Sequence, residues 1–184
     1  MQPAFFSFFS NIEFVYLTTI IMIALFIVIA SLEDIHTWAI FKSSGLLSWR
    51  VSKAAYGWSS RGFLSKLLDF FLNDKSFKIG IYLRLVVSIL LIGFAFIRII
   101  SPTLIILEFF LMSFILLRNP YGIDGAYQMC LVILFGISLG TLFGIHSTIS
   151  IVSLWFIALQ LVLSYFIAGM AKIFSSIWRK SFAL

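Results

Sequence analysis

Charge is what this sequence has least of. Only 11% of its residues are Asp, Glu, Lys or Arg, against 62% hydrophobic residues and a mean hydropathy of +1.13. A water-soluble domain of 184 residues is thereby excluded, because a core of that size cannot hide so much apolar surface. Cysteine is nearly missing too. Cys130 stands alone, so no intrachain disulfide forms and the redox compartment is not legible. Residues 1–11 hold no Lys or Arg, which leaves a secretory signal peptide without its basic region. The first apolar run is therefore expected to be a retained span. There is no P-loop, no Gly-x-Gly-x-x-Gly, no Cys-x-x-Cys, no Ser–His–Asp order, no internal repeat and no low-complexity tract. The two histidines, His36 and His146, lack zinc spacing, so no metal site is expected.

What is present is a series of apolar runs: residues 14–32, 81–100, 103–117, 127–145 and 149–174. The expected fold class is an all-α integral membrane bundle of about five transmembrane helices, in a single membrane domain covering 1–184. Residues 1–32 hold the first span, 33–80 a basic interfacial segment, and 81–184 a four-helix portion. The third run is short, about 22 Å at 1.5 Å per residue, and reads either as a full crossing or as a re-entrant segment. Residues 33–80 carry Lys42, Arg50, Lys53, Arg61, Lys66, Lys75 and Lys78. Placed in the cytoplasm by the positive-inside rule, they put the N-terminus outside and the C-terminus inside. Only Arg98 opposes this arrangement. The net charge of +6 is met by topology and anionic lipid, with no nucleic acid implied.

Within that basic segment, Leu64, Leu67, Leu68 and Phe71 fall on one helical face, with Lys66 and Asp69 elsewhere. Trp49, Tyr56 and Trp58 are interspersed with Arg50 and Lys53. Such mixing suits helices lying in the headgroup plane; a docking surface for a soluble partner is the other reading.

Several polar residues stand out against the apolar background. Gln160, Ser164, Ala168 and Lys172 share one face of the last run, and a lysine at membrane depth is a candidate functional site. The loop of residues 118–126 contains Arg118, a tight turn and Asp124, followed by Gln128. Asp124 reads either as a helix N-terminal charge or as part of a cluster with Arg118, Gln128 and Lys172. Glu108 on the third run faces Arg98 across the Ser101-Pro102 turn, and the two are expected to form a structural ion pair. A proton relay would need further acids along a path, and none of the five runs supplies one. Gly136, Gly140 and Gly144 form a small-residue stripe suited to close packing, within the chain or with another subunit. His146, at a span end, reads as a solvated side chain or as an axial ligand for haem or a chlorin.

Arg118-Asn119-Pro120 with Asp124-Gly125-Ala126, then Ser164-Tyr165-Phe166-Ile167-Ala168-Gly169 with Lys172, then Trp178-Arg179, together resemble the horizontally transferred transmembrane (HTTM) domain. This is a bacterial membrane domain related to vitamin K-dependent gamma-carboxylase. The run from Ile81 through Arg84 is similar to that domain's arginine-led opening span. The resemblance covers about residues 80–184. It implies an all-helical bundle in a bacterial inner membrane and matches Lys172 to the carboxylase's catalytic base. The chain departs from the pattern in three ways. It ends soon after the lysine motif, without later spans or a soluble domain; no histidine follows Asp124; and Tyr127 stands where bacterial relatives commonly carry a second aspartate. Peptide docking and quinone chemistry lose their supports, and no cofactor is called for. The expectation is an HTTM-like, non-catalytic accessory or assembly subunit of a larger membrane complex. The alternative is a membrane enzyme or maturation factor using Lys172 as a base.

Overall fold

The computed structural model describes residues 11–43, 45, 47–55, 63–118, 125–175 and 178, with only the backbone described at Ala55, Leu64 and Leu67. Every regular element among the described residues is a helix: α1 Ile12–His36, α2 Trp38–Phe41, α3 Trp49–Ala55, α4 Phe63–Phe71, α5 Asp74–Phe96, α6 Pro102–Arg118, α7 Gly125–Leu142 and α8 Thr148–Phe174. Four of them, α1, α5, α7 and α8, are long and apolar enough to cross a membrane.

Local chemistry sets the helix ends. The Asn73 side chain accepts a hydrogen bond from the Ser76 amide at 2.9 Å, which caps the start of α5, and Asp74 sits in its first turn. Here α5 begins seven residues earlier than its apolar run, because a cap rather than hydropathy decides where a helix starts. Pro102 opens α6, where a missing amide hydrogen costs nothing. Ser147 caps α8 by accepting from the Ser150 amide at 3.1 Å. Between α7 and α8, Gly144 takes a φ of 90°, a conformation that strains any residue with a Cβ. Gly144 is thus a turn residue and does not extend the packing stripe.

The five long helices pack as a bundle. Tyr16, Ile20 and Ala24 of α1, Val87 and Leu91 of α5, Ile105 of α6, Ile137 of α7, and Leu154 and Ile157 of α8 form one core at the end where α1 begins. Midway along, Ile23 and Ile27 of α1 meet Met112, Cys130 and Leu134. At the far end Phe41, Phe77, Ile81 and Ile115 close a third cluster beneath α2. Although only 17 residues long, α6 runs the length of the bundle. It starts at the turn that follows α5 and ends with Arg118 bonded to Asp74 at the start of α5.

Gly136 and Gly140 are spent inside the chain. A Cβ on Gly136 would lie 2.9 Å from the Ile157 side chain, and one on Gly140 would overlap the Tyr16 hydroxyl. That hydroxyl donates to the Ser150 carbonyl at 3.1 Å, tying α1 to α8 where the glycine lets them approach α7. Small residues serve here as membrane helices use them, to bring backbones together.

The described part of the segment between α1 and α5 is helical in three pieces, α2, α3 and α4. Phe63, Phe70 and Phe71 of α4 are exposed, as is Lys66. The side chains of Leu64 and Leu67, and all of Tyr56, Trp58 and Arg61, lie outside what is described. Lys53 on α3 forms an ion pair with Asp69 on α4 at 2.7 Å, and Trp49 Nε1 donates to the same carboxylate at 2.7 Å.

Candidate functional site: a buried arginine–carboxylate cluster

The most concentrated polar chemistry inside the bundle centres on Arg84, which is fully buried. Its Nη2 donates to Asp34 Oδ2 at 2.6 Å, its Nε to Ser31 Oγ at 2.8 Å, and an Nη1 contact reaches the Met112 sulfur at 3.6 Å. Ser31 and Asp34 are three residues apart on α1, so one helical face supplies both partners. One turn beyond Arg84, Ser88 Oγ lies 2.9 Å from both the Arg84 carbonyl and Glu108 Oε1. Glu108 is completely buried, and its second oxygen has no hydrogen-bond partner. The cluster therefore holds one guanidinium and two carboxyl groups. Its formal charge is −1 with both ionised and zero with one proton on Glu108.

This corrects the expected Arg98–Glu108 pair. Arg98 is exposed, and no ion pair includes it among the described residues. The reason is depth. Glu108 lies six residues into α6, about 9 Å from the turn, and an antiparallel neighbour at that depth is Ser88 rather than a residue of the turn itself. Arg98 instead closes α5. Its φ of 58° is left-handed, the Ile99 amide bonds the Phe94 carbonyl at 2.8 Å, and its own amide bonds the Ala95 carbonyl at 3.0 Å. That is a Schellman ending with arginine where glycine is usual.

A second buried guanidinium, Arg118, fixes the opposite end of α6. It donates to the Leu72 carbonyl at 2.9 Å, to the Phe41 carbonyl, and to Asp74 Oδ1 at 2.6 Å, and its charge lies 4.4 Å from the centre of the Phe77 ring. The Arg118 carbonyl in turn accepts from Ser52 Oγ on α3. One side chain thus joins α2, α5 and α6. Sequence reasoning grouped Arg118 with Asp124, Gln128 and Lys172. Its partners prove to be the segment before α5, Asp124 lies outside the described residues, and Gln128 is exposed.

Lys172 takes a different place altogether. It is exposed, with its Nζ 4.9 Å from the centre of the Trp178 ring. Ser164 and Ala168 on the same stripe are exposed and Gln160 is half-buried. The four buried residues of α8 are Ser150, Ser153, Leu154 and Ile157, so none of its last 17 residues is buried, and of these Leu161 packs against the first core. His36 and His146 are both exposed near helix ends. No group of three or more His, Cys, Asp or Glu residues fit to hold a metal occurs among the described residues.

Sequence reading missed Ser31, Asp34 and Ser88 and noted Arg84 only for its likeness to an arginine-led span. The signal was there: Ser31 with Asp34 and Arg84 with Ser88 are polar pairs at helical spacing inside or at the edge of apolar runs. The first apolar run ends at Leu32, four residues before α1 does, so hydropathy alone places Asp34 in the connector. None of the described cavities is lined by this cluster. It is closed, and its chemistry is that of a lock between α1, α5 and α6. Compared with family models, with curated proteins and with solved structures, the chain matches none.

Proposed function

We propose that this chain is an HTTM-like, non-catalytic accessory or assembly subunit of a larger membrane complex, held in a bacterial inner membrane with its N-terminus outside and its C-terminus in the cytoplasm. The observation that carries the reading is the second half of α8. It is about 25 Å of helix without one buried residue, in contact with the first core only near its start through Leu161, yet it bears Gln160, Ser164 and Lys172. Leucine and phenylalanine on such a face are content in lipid. An amide, a hydroxyl and an ammonium are not, and a protein partner is the cheapest way to satisfy them. The Arg84 and Arg118 clusters support the same reading, since the hydrogen bonds of both guanidinium groups go to neighbouring helices and hold the bundle together. A base in carboxylase-like chemistry would work from an enclosed site, whereas Lys172 stands in the open beside Trp178.

The test is extraction from the native membrane in mild detergent followed by native sizing. The reading expects an assembly well above the 20.9 kDa chain with its detergent belt, reduced to the single chain by Gln160→Leu with Ser164→Leu. A stable single chain from the unaltered protein would sink the proposal. Lys172→Ala addresses the chemical alternative: activity of the host pathway lost while the assembly stays intact would favour a base.

A further inference from the structure

Two cavities take consecutive residues of the first turn of α5, Lys75 and Ser76, into their walls, and their chemistry is complementary. The first is a cleft of about 450 Å³ lined by Ser43, Ser48, Trp49, Arg50, Asn73, Asp74 and Lys75. Its one acid is already occupied: Asp74 takes Arg118 on Oδ1 and the Ser43 amide on Oδ2 at 2.9 Å. Arg50 and Lys75 are exposed and engage in no hydrogen bond or ion pair among the described residues. The cleft thus presents two unused cations and two serine residues. The second cavity is a groove of about 400 Å³ walled by Phe70, Phe71, Ile79, Leu83, Phe110 and Phe114, where α4, α5 and α6 come together. Gly80 forms its floor, with space for a Cβ only 3.2 Å from the Phe114 ring.

Lys75, Ile79 and Leu83 succeed one another at four-residue spacing, so one stripe of α5 runs from the cationic cleft into the apolar groove. From Lys75 to Leu83 is about 12 Å along the axis. We infer that this junction binds an anionic phospholipid, its phosphate held by Arg50 and Lys75 and the upper part of one acyl chain lying in the α4–α5–α6 groove. Three features fit a lipid rather than a soluble anion. The cations stand where α5 leaves its most apolar stretch, the exposed Phe63, Phe70 and Phe71 of α4 suit the headgroup plane, and the groove continues from the cations toward the bundle's middle.

The experiment uses the purified full chain in detergent, incubated with equal amounts of dioleoyl phosphatidylglycerol or dioleoyl phosphatidylcholine, with retained lipid counted by native mass spectrometry. One phosphatidylglycerol is retained in preference to phosphatidylcholine. Lys75→Gln and Arg50→Gln, both at exposed positions, each weaken retention roughly fivefold, the worth of one basic residue near an anionic surface. Leu83→Trp, at a position 42% exposed, fills the groove and lowers retention without touching either cation. Equal retention of the two lipids overturns the inference. So does retention that Leu83→Trp leaves unchanged while glycerol phosphate competes for it, which would identify a site for a free phosphate. Variants are scored only as monodisperse species, and wild-type retention of neither lipid also refutes the site.

Discussion

At the residue scale, the two charged clusters differ from surface ion pairs in what their loss does. Arg84 is wholly buried, so removing Asp34 strands a guanidinium in the bundle. Asp34→Leu is expected to destabilise the protein by about 3–5 kcal/mol, whereas Arg84→Met combined with Asp34→Leu recovers most of the loss, because a hydrophobic replacement removes the desolvation cost with the charge. Denaturant titration in mixed micelles followed by circular dichroism measures both. Arg98 makes the opposite case. A non-glycine residue at a φ of 58° carries a steric penalty of about 1–2 kcal/mol, so Arg98→Gly is expected to stabilise the fold by about that amount in the same titration. No change would mean that the arginine side chain makes a compensating contact.

At the scale of elements, α3 and α4 are joined mainly through Asp69. Its carboxyl is held below the ordinary carboxylate range, first by the hydrogen bond from Lys53, then by that from Trp49. A carboxylate with a lowered folded-state value contributes stability above its unfolded value, near pH 4, and loses it as pH falls through the lower folded value. The clip between α3 and α4 is therefore expected to persist through neutral and mildly acidic pH and to open only in stronger acid. The pair is partly exposed, so the effect is small and salt-screened. Trp49 emission, taken as the difference from Trp49→Phe, reports it. An emission change centred near neutral pH would refute Asp69 as the titrating group, and Asp69→Asn should give the acid-form emission at every pH.

At the scale of the whole molecule, three core clusters stack along the bundle axis, and α8 joins only the first. The bundle is thus anchored at one end and leaves half a helix free at the other. Five helices run between the two ends, so the chain's termini emerge on opposite sides if all five cross. If the proposed orientation holds, with residues 33–80 in the cytoplasm, green fluorescent protein fused after Leu184 is expected to fluoresce, and one fused before Met1 to stay dark after export. Fluorescence at both ends would require an even number of crossings and would demote α6 to a segment that dips and returns.

Composition and hydropathy by themselves determined an all-helical chain with long apolar helices and a helical, basic segment between the first and second. Those features are sums over many residues, and no single contact can overturn them. The small-residue stripe was legible in kind, since Gly136 and Gly140 do admit close neighbours. Gly144 was not, because spacing alone does not show where α7 ends. Only the tertiary structure decided which charges meet. Arg98 and Arg84 both stand in the apolar run of residues 81–100, and sequence separation across a short turn favoured the first as the partner for Glu108. Depth in the antiparallel hairpin instead placed Glu108 beside Ser88, while the longer reach of α1 carried Asp34 to Arg84. Charge pairing inside a bundle depends on register between helices distant in sequence. Register is set by how caps, turns and small residues let whole helices slide against one another, and no local pattern records it.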